Sequence, residues 1–99
     1  MTESMSLMVV FTCRPGHEST VREMLTAMLT PTRAEPGCLE YILHESLDDP
    51  AVFAFYETWR ANKDWDVHML QPHLRHLPEN LPQHLTRPIG VRHLHRLDV

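Results

Sequence analysis

Residues 7–29 read LMVVFTCRPGHESTVREMLTAML, and two different periodicities meet within this stretch. Residues 7–12 form a short apolar run rich in β-branched and aromatic side chains, which is typical of a strand, and Pro15-Gly16 marks a turn. From His17 onward the apolar residues recur every three or four positions, which predicts one stripe of an amphipathic helix. That stripe consists of Val21, Met24, Leu25, Met28 and Leu29.

The end of this first helix is marked by proline and glycine. Pro31 is expected to break or kink the helix, and Thr30 could cap a short continuation. Glu35-Pro36-Gly37 then closes the helical region, because proline disfavours helix at the residue before it and Gly37 can adopt a positive φ.

The next segment predicts a β-hairpin. Residues 38–47 alternate, so that Leu39, Tyr41 and Leu43 are expected on one face of a half-buried strand. Asp48-Asp49-Pro50 is a turn signal. Residues 52–59 are apolar on both faces for most of their length, which predicts a central strand that is covered on both sides.

The remainder of the chain predicts a second helix and a last strand. Asn62 can cap a helix that runs through Met69, is interrupted at Pro72 and resumes to about residue 77. Two prolines then make an irregular segment, and residues 89–97 are expected to form the last strand. The prolines are Pro78 and Pro82.

The element order βαββαβ predicts an α+β fold of ferredoxin-like layout, an antiparallel sheet with two helices on one face. We expect residues 1–6 to be a flexible N-terminus and residues 7–99 to form a single domain. The other sheet face then needs a cover, and sheet-on-sheet packing against an identical chain would supply one, so a homodimer is expected. Cys13 and Cys38 fall on strands separated by another strand, too far apart for a disulfide.

Charge and hydropathy exclude several functional classes. The formal net charge is −4 and no basic run is present, which disfavours a nucleic-acid surface. No apolar stretch approaches the roughly 20 residues needed to span a bilayer. Residues 1–6 lack the basic start and long apolar region of a signal peptide, so a cytoplasmic location is expected.

Five short motifs occur in a fixed order along the chain: Arg14-Pro15-Gly16, the EPGCLEY stretch at 35–41, Asp48-Asp49-Pro50, Tyr56-Glu57-Thr58-Trp59, and His68 followed by Pro72-His73. Together, over residues 7–97, they resemble the antibiotic biosynthesis monooxygenase (ABM) domain family, particularly its small quinol monooxygenase branch. The resemblance implies a dimeric α/β barrel. It also implies oxidation of an aromatic quinol or polyketide by molecular oxygen without metal or flavin.

Other members of the family degrade haem or isomerise small sugar-like signals, so the resemblance leaves the reaction open. Haem degradation is disfavoured, because the haem-degrading relatives use an Asn on the first strand and a Trp in the second helix. This chain has no Asn in residues 7–12, and His68 stands where that Trp would be.

Oxygenation without a cofactor requires a base near neutral pKa, an apolar pocket and donors that stabilise the developing anion. His68 is the candidate catalytic base, because imidazole titrates nearest physiological pH. The alternative is a helix histidine that bonds a neighbouring backbone group or carboxylate. The expected substrate pocket between sheet and helices is lined by Tyr41, Glu57, Trp59, Trp65, Met69 and His73.

Several of these residues also have structural interpretations. Glu57 could orient His68 or Tyr41, but we favour a structural pair with Arg33 or Arg60. Trp59 and Trp65 are more often core or subunit contacts, and Tyr41 could simply be an amphipathic residue on a half-buried strand. Cys38 is expected to be a small buried hydrophobe rather than a nucleophile.

No metal or cofactor site is expected. Although His68, His73 and His76 are close in sequence, and His93 and His95 could share a strand face, no recognised metal-binding spacing is present. Only three glycines occur, and none forms a phosphate-binding loop.

The sequence therefore predicts a homodimeric, cofactor-independent monooxygenase that acts on a small aromatic, quinol-like substrate. Two alternatives stay open: a non-catalytic dimeric ligand-binding module, and an isomerase of a small metabolite.

Overall fold

Four strands form one antiparallel sheet in the order β2-β3-β1-β4 in the computed structural model, which describes residues 4–75 and 77–98. The strands are β1 (Met5–Thr12), β2 (Cys38–Glu45), β3 (Val52–Trp59) and β4 (Gly90–Leu94). The helices are α1 (Glu18–Thr26), α2 (Leu29–Arg33), α3 (Asn62–Met69), α4 (Pro72–Arg75) and α5 (Leu77–Asn80), followed by a 3₁₀ turn at Pro82–His84. The predicted α+β ferredoxin-like layout is confirmed.

The register of the sheet assigns each strand residue to one of two faces. Leu7, Val9 and Phe11 of β1 lie opposite Glu57, Phe55 and Phe53 of β3. This face packs against the helices, because the core cluster joins Phe11, Phe53 and Phe55 to buried residues of the first helical region. Those helical residues are Val21, Leu25 and Met28.

The first helix ends earlier than predicted. α1 stops at Thr26, and the Met28 N–H bonds the Leu25 carbonyl, an i to i−3 contact that tightens the turn before α2. Pro31 therefore does not break the helix; it lies in the first turn of α2, where a missing N–H leaves no helical bond unmade. Thr30 is inside α2 and does not cap it.

Strand boundaries also differ from the prediction. β1 begins at Met5, so Met5 and Ser6 belong to the sheet rather than to a flexible terminus. In β2 a bulge between Cys38 and Glu40 shifts the alternation, and Leu39 is consequently 57% exposed instead of sharing the face of Tyr41. β2 stops at Glu45, leaving the residue expected near its end, Leu47, fully exposed.

The second helical region is interrupted as predicted, since α3 ends at Met69 and Pro72 starts α4. Asn62 is the first residue of α3 rather than its cap, which is Ala61 in an extended conformation. The predicted irregular segment contains α5 and the 3₁₀ turn. β4 is shorter than predicted and ends at Leu94, so His95 cannot share a strand face with His93. His76 lies outside the described residues.

Gly37 has a different role from the one predicted. It does not adopt a positive φ, which among the described glycines occurs only at Gly16. Instead, a Cβ at Gly37 would collide with the Asp64 side chain at the start of α3. The missing side chain lets the loop after α2 pack directly against α3, and the Gly37 carbonyl accepts a 2.8 Å hydrogen bond from the Arg60 N–H.

The sheet face away from the helices is open in the monomer. Met8, Val10, Ala54 and Tyr56 are half-buried there, at positions that alternate with the core residues. Both cysteines are free, as predicted. Within the described residues, no helix combines the length and apolar character that crossing a membrane requires.

Candidate active site

A cavity of about 610 Å³ lies between the core face of the sheet and the segments that follow β3. The sheet contributes residues from all four strands, α3 forms one wall, and residues 82–89 form part of the rest. Most of the lining is apolar. Five of the predicted site residues line it: Tyr41, Glu57, Trp65, His68 and Met69.

His68 is 2% exposed and is bonded to a carboxylate that the sequence analysis did not single out. Its Nδ1 lies 2.6 Å from Oε2 of Glu35, in the loop that Gly37 brings against α3. Because a carboxylate can only accept, Nδ1 carries the proton and Nε2 is left for a molecule in the cavity. Burial lowers the pKa of the His68 imidazole, while the Glu35 carboxylate opposes that shift, so the neutral base predominates at pH 7.

His73 does not line the cavity, contrary to prediction. Its Nε2 lies 3.0 Å from the same Glu35 oxygen, so that one carboxylate oxygen holds two imidazoles. The other oxygen, Oε1, is buried and has no hydrogen-bond partner among the described residues. His73 therefore contacts the carboxylate that bonds His68 and does not form part of the cavity wall.

The same three side chains are the cluster in which a cation could be held. Glu35, His68 and His73 each offer one ligand atom, and these atoms lie within 4.8 Å of one another. Two imidazoles and one carboxylate form a ligand set that divalent transition metals use. In the structure the carboxylate bonds one nitrogen of each imidazole directly. The expectation of no metal stays a prediction.

Trp59 is fully buried and lies behind the site instead of lining the cavity. Its ring centroid is 4.5 Å from that of His68, so it forms a floor under the imidazole. Its indole N–H donates a 3.0 Å hydrogen bond to Oε1 of Glu57. This bond replaces the predicted pair with Arg33 or Arg60: Arg33 donates to the Tyr41 carbonyl, and Arg60 pairs with Asp64.

Glu57 is an unusual carboxyl group because it lines the cavity and is only 4% exposed. Burial raises its pKa to about 7, although the Trp59 hydrogen bond favours the charged form. The nearby Glu35 carboxylate adds to the increase. At neutral pH the group therefore exists in both protonation states and can give or take a proton.

Tyr41 lines the cavity, and its hydroxyl lies beside the Thr32 side chain. Its ring stacks on Phe55 at 4.4 Å and meets the His68 ring edge-on at 5.8 Å. Burial raises the Tyr41 pKa far above its ordinary value, so the hydroxyl keeps its proton and can donate it in a hydrogen bond. Burial likewise raises the pKa of Cys38 to about 11, which agrees with the expectation that this thiol is not a nucleophile.

The main residue that the sequence analysis missed is Glu35. The sequence placed it in a helix-ending turn and in the EPGCLEY motif but gave it no role in the site, and it lies 33 positions before His68. Gly37 was the available clue to this contact. Its glycine is required because the loop packs closely on α3, and not because the backbone adopts a positive φ. The contribution of residues 82–89 to the cavity had no clue in local pattern.

Comparison with known proteins agrees with this fold. The sequence profile described as antibiotic biosynthesis monooxygenase matches residues 4–79. Rv0793 of Mycobacterium tuberculosis, named provisionally as a monooxygenase, is 39% identical over 98 residues, which cover 99% of this chain and 96% of that protein. Its solved structure superposes with a TM-score of 0.93 over 98% of each chain. PA3566 of Pseudomonas aeruginosa is 30% identical, with a TM-score of 0.93 over 99% of this chain and 98% of its own.

Proposed function

Because this chain belongs to the antibiotic biosynthesis monooxygenase family, we propose that it is a homodimeric, cofactor-independent monooxygenase that oxidises a small aromatic, quinol-like substrate with molecular oxygen. The observation that carries this proposal is the buried Glu35–His68 pair at the wall of an apolar cavity. A carboxylate that fixes the tautomer and orientation of an imidazole is the usual support of a histidine base. The cytoplasmic location stays a prediction.

In the proposed reaction, Nε2 of His68 takes a proton from a substrate hydroxyl. The resulting electron-rich anion supplies the electrons that reduce oxygen, and one oxygen atom enters the substrate while the other leaves as water. For a hydroquinone this gives the hydroxylated quinone and one water, so no external reductant is required. The apolar wall favours the step because it strengthens the interactions that stabilise the reacting anion.

Two further groups in the cavity have suitable chemistry for that anion. The Tyr41 hydroxyl, which lies beside Thr32, keeps its proton and is one donor that we assign to a substrate oxygen. Glu57, with its pKa raised to about 7 by burial, can donate as a neutral carboxylic acid. Trp59 links His68 to Glu57, because its ring contacts the His68 ring and its indole N–H bonds the Glu57 carboxyl group.

The open sheet face supports the dimer in this proposal. Its central residues, Met8, Val10, Ala54 and Tyr56, are half-buried in the monomer, and its edges add the exposed apolar side chains of Ile42 and Leu94. Burying such a face against a copy of itself removes apolar surface from water without requiring any other partner.

The test is oxygen uptake by metal-stripped protein with a panel of simple hydroquinones, with and without a chelator. We expect enzyme-dependent uptake that survives chelation and falls at least 100-fold in His68→Ala, which matches the usual contribution of a general base. His95→Ala is the matched control, because His95 is exposed, follows the last strand and lies outside the cavity lining. Light scattering on each variant verifies that its assembly is unchanged.

Each other outcome identifies a different function. Uptake that disappears on chelation and returns with a divalent metal would contradict the cofactor-independent mechanism and indicate a metal at Glu35, His68 and His73. Product without oxygen uptake would indicate an isomerase. Tight binding of aromatic compounds without any turnover would indicate a ligand-binding module.

A further inference from the structure

Residues 82–88, which we call the rim segment, form a fixed edge of the cavity. Two backbone hydrogen bonds join this segment to the end of β1: the Arg14 N–H donates to the His84 carbonyl at 2.8 Å, and the Thr86 N–H donates to the Thr12 carbonyl at 2.9 Å. The rim segment is therefore held at both of these points against the sheet.

Side chains reinforce the same attachment. Nδ1 of His17 lies 2.9 Å from Nδ1 of His84, and Nε of Arg14 donates to the Gln83 carbonyl at 3.1 Å. Leu85 is 5% exposed and joins the core cluster. A residue carried by this segment thus has a defined position at the cavity.

Arg87 is that residue. It lines the cavity and is otherwise exposed, and within residues 4–75 and 77–98 its guanidinium takes part in no hydrogen bond or ion pair. Among the lining residues it alone carries a permanent positive charge; the other titratable groups there are Tyr41, Glu57 and His68. The protein as a whole has a net charge of −4, so a cation at this position is not a general property of its surface.

A free guanidinium beside an apolar cavity has a defined chemical preference. Its planar fork matches a carboxylate with two parallel hydrogen bonds, which are stronger than bonds between neutral groups. A cavity of about 610 Å³ with a mostly apolar lining takes a ligand that is mainly an aromatic or aliphatic body. The two requirements meet in one molecule, an aromatic ring that bears a carboxylate.

We propose that the substrate is an aromatic acid, whose ring lies in the cavity near Tyr41 and whose carboxylate is bound by Arg87. This inference rests on the proposed function only in taking the cavity as the substrate site. It makes Arg87 a specificity-determining residue, which binds the end of the substrate that does not react.

The test measures binding without turnover, by isothermal titration calorimetry with 2-naphthoate and its neutral counterpart 2-naphthalenemethanol. We expect the acid to bind at least tenfold more tightly than the alcohol in the wild-type protein. Arg87→Gln should weaken binding of the acid about tenfold and leave binding of the alcohol unchanged, the loss expected for one charge-assisted contact. Arg96→Gln is the matched control, because it removes the same charge outside the cavity lining.

Equal affinity for acid and alcohol in the wild-type protein, or unchanged binding of the acid in Arg87→Gln, would overturn the inference. Equal weakening in Arg96→Gln would also overturn it, because the effect would then reflect net charge alone. The outcome is separate from that of the oxygen assay. Arg87-dependent binding without oxygen uptake supports the anion site while removing the oxygenase, and uptake of oxygen without acid preference does the reverse.

Discussion

Glu35 accepts hydrogen bonds from two imidazoles through a single oxygen, and this arrangement decides how His68 can react. A base must be neutral and correctly oriented before the substrate arrives. Burial keeps the imidazole neutral by lowering its pKa, and the 2.6 Å contact with Glu35 fixes the ring. The two effects work together, since the carboxylate also stabilises the imidazolium formed after proton transfer.

Replacing Glu35 by Gln separates orientation from basicity. The amide oxygen can still accept from Nδ1 of His68, but it carries no charge to stabilise the imidazolium. We expect kcat for oxygen uptake to fall about 10- to 100-fold with little change in KM, because substrate binding does not involve Glu35. Steady-state kinetics would show this split. An equal loss in Glu35→Gln and in the exposed Glu23→Gln would contradict the assignment.

Glu57 makes the stability of the protein depend on pH. Its carboxyl group has a reference pKa of 4.5, against about 7 in the folded protein. Between these values the folded protein keeps a proton that the unfolded chain loses, so stability falls as pH rises through this window. The loss is complete above pH 7 and amounts to about 3 kcal/mol by linkage.

Glu57→Gln should therefore unfold at a higher urea concentration than the wild type at pH 8.5 and differ much less at pH 4.5. Urea denaturation at both pH values measures the difference, and Glu23→Gln controls for the loss of one charge. A pH-independent difference between Glu57→Gln and wild type would show that the Glu57 pKa is not raised.

At the level of single residues, the sequence singled out His68, the base that we propose, but not the carboxylate that bonds it. His68 stands out because histidine is the side chain that titrates nearest neutral pH. Glu35 does not, because a loop carboxylate 33 positions away meets His68 only through tertiary packing. Glu57 was assigned an arginine partner by charge alone, whereas the strand puts Trp59 on the same face two residues away.

At the scale of elements, the loop from α2 to β2 positions the site through one close contact. Gly37 leaves room for Asp64 at the start of α3, and the contact sets the distance between Glu35 and His68. The sequence pattern predicted the four strands and the helices α1 and α3, but not α5 or the 3₁₀ turn in the segment expected to be irregular. It did not predict the bulge at Leu39 or the break after Thr26, since both depend on how neighbouring elements pack.

Gly37→Ala should lower the free energy of unfolding by about 1–3 kcal/mol, because an added methyl group forces the loop and α3 apart. Activity per folded molecule should fall as well, because the same displacement moves Glu35 away from His68. Thermal unfolding and kinetics on the same sample test both effects. Gly90→Ala is the control, since a Cβ there makes only ordinary contacts at 3.8 Å or more. Equal effects at both positions would contradict this role of Gly37.

At the scale of the whole molecule, the two faces of the sheet have different roles in our proposal, one in substrate binding and the other in dimer formation. Its core face carries the cavity, while its open face presents the half-buried Met8, Val10, Ala54 and Tyr56. A helix layer on one side only was predictable from the βαββαβ order. That the open face binds a second copy of the chain stays a proposal, which a substitution on that face can test.

Val10→Asp should convert the dimer to a monomer, because burying an unpaired carboxylate in an apolar interface is strongly unfavourable. Light scattering coupled to size exclusion gives the mass directly. Leu47→Asp introduces the same charge at a fully exposed hairpin position and should leave the dimer intact. A wild-type mass of one chain, or an intact dimer in Val10→Asp, would contradict this use of the open face.

We infer that Glu35 holds His68 as a neutral base whose Nε2 is available to the cavity. The most direct test is long-range ¹H–¹⁵N NMR of the histidine side chains at pH 7.5, with His68→Asn to assign the signal. We expect a neutral His68 ring with the proton on Nδ1, and a shift of its Nε2 signal when 2-naphthoate fills the cavity. An imidazolium at that pH, a proton on Nε2, or an Nε2 signal that does not shift when the ligand binds would show that His68 is not such a base.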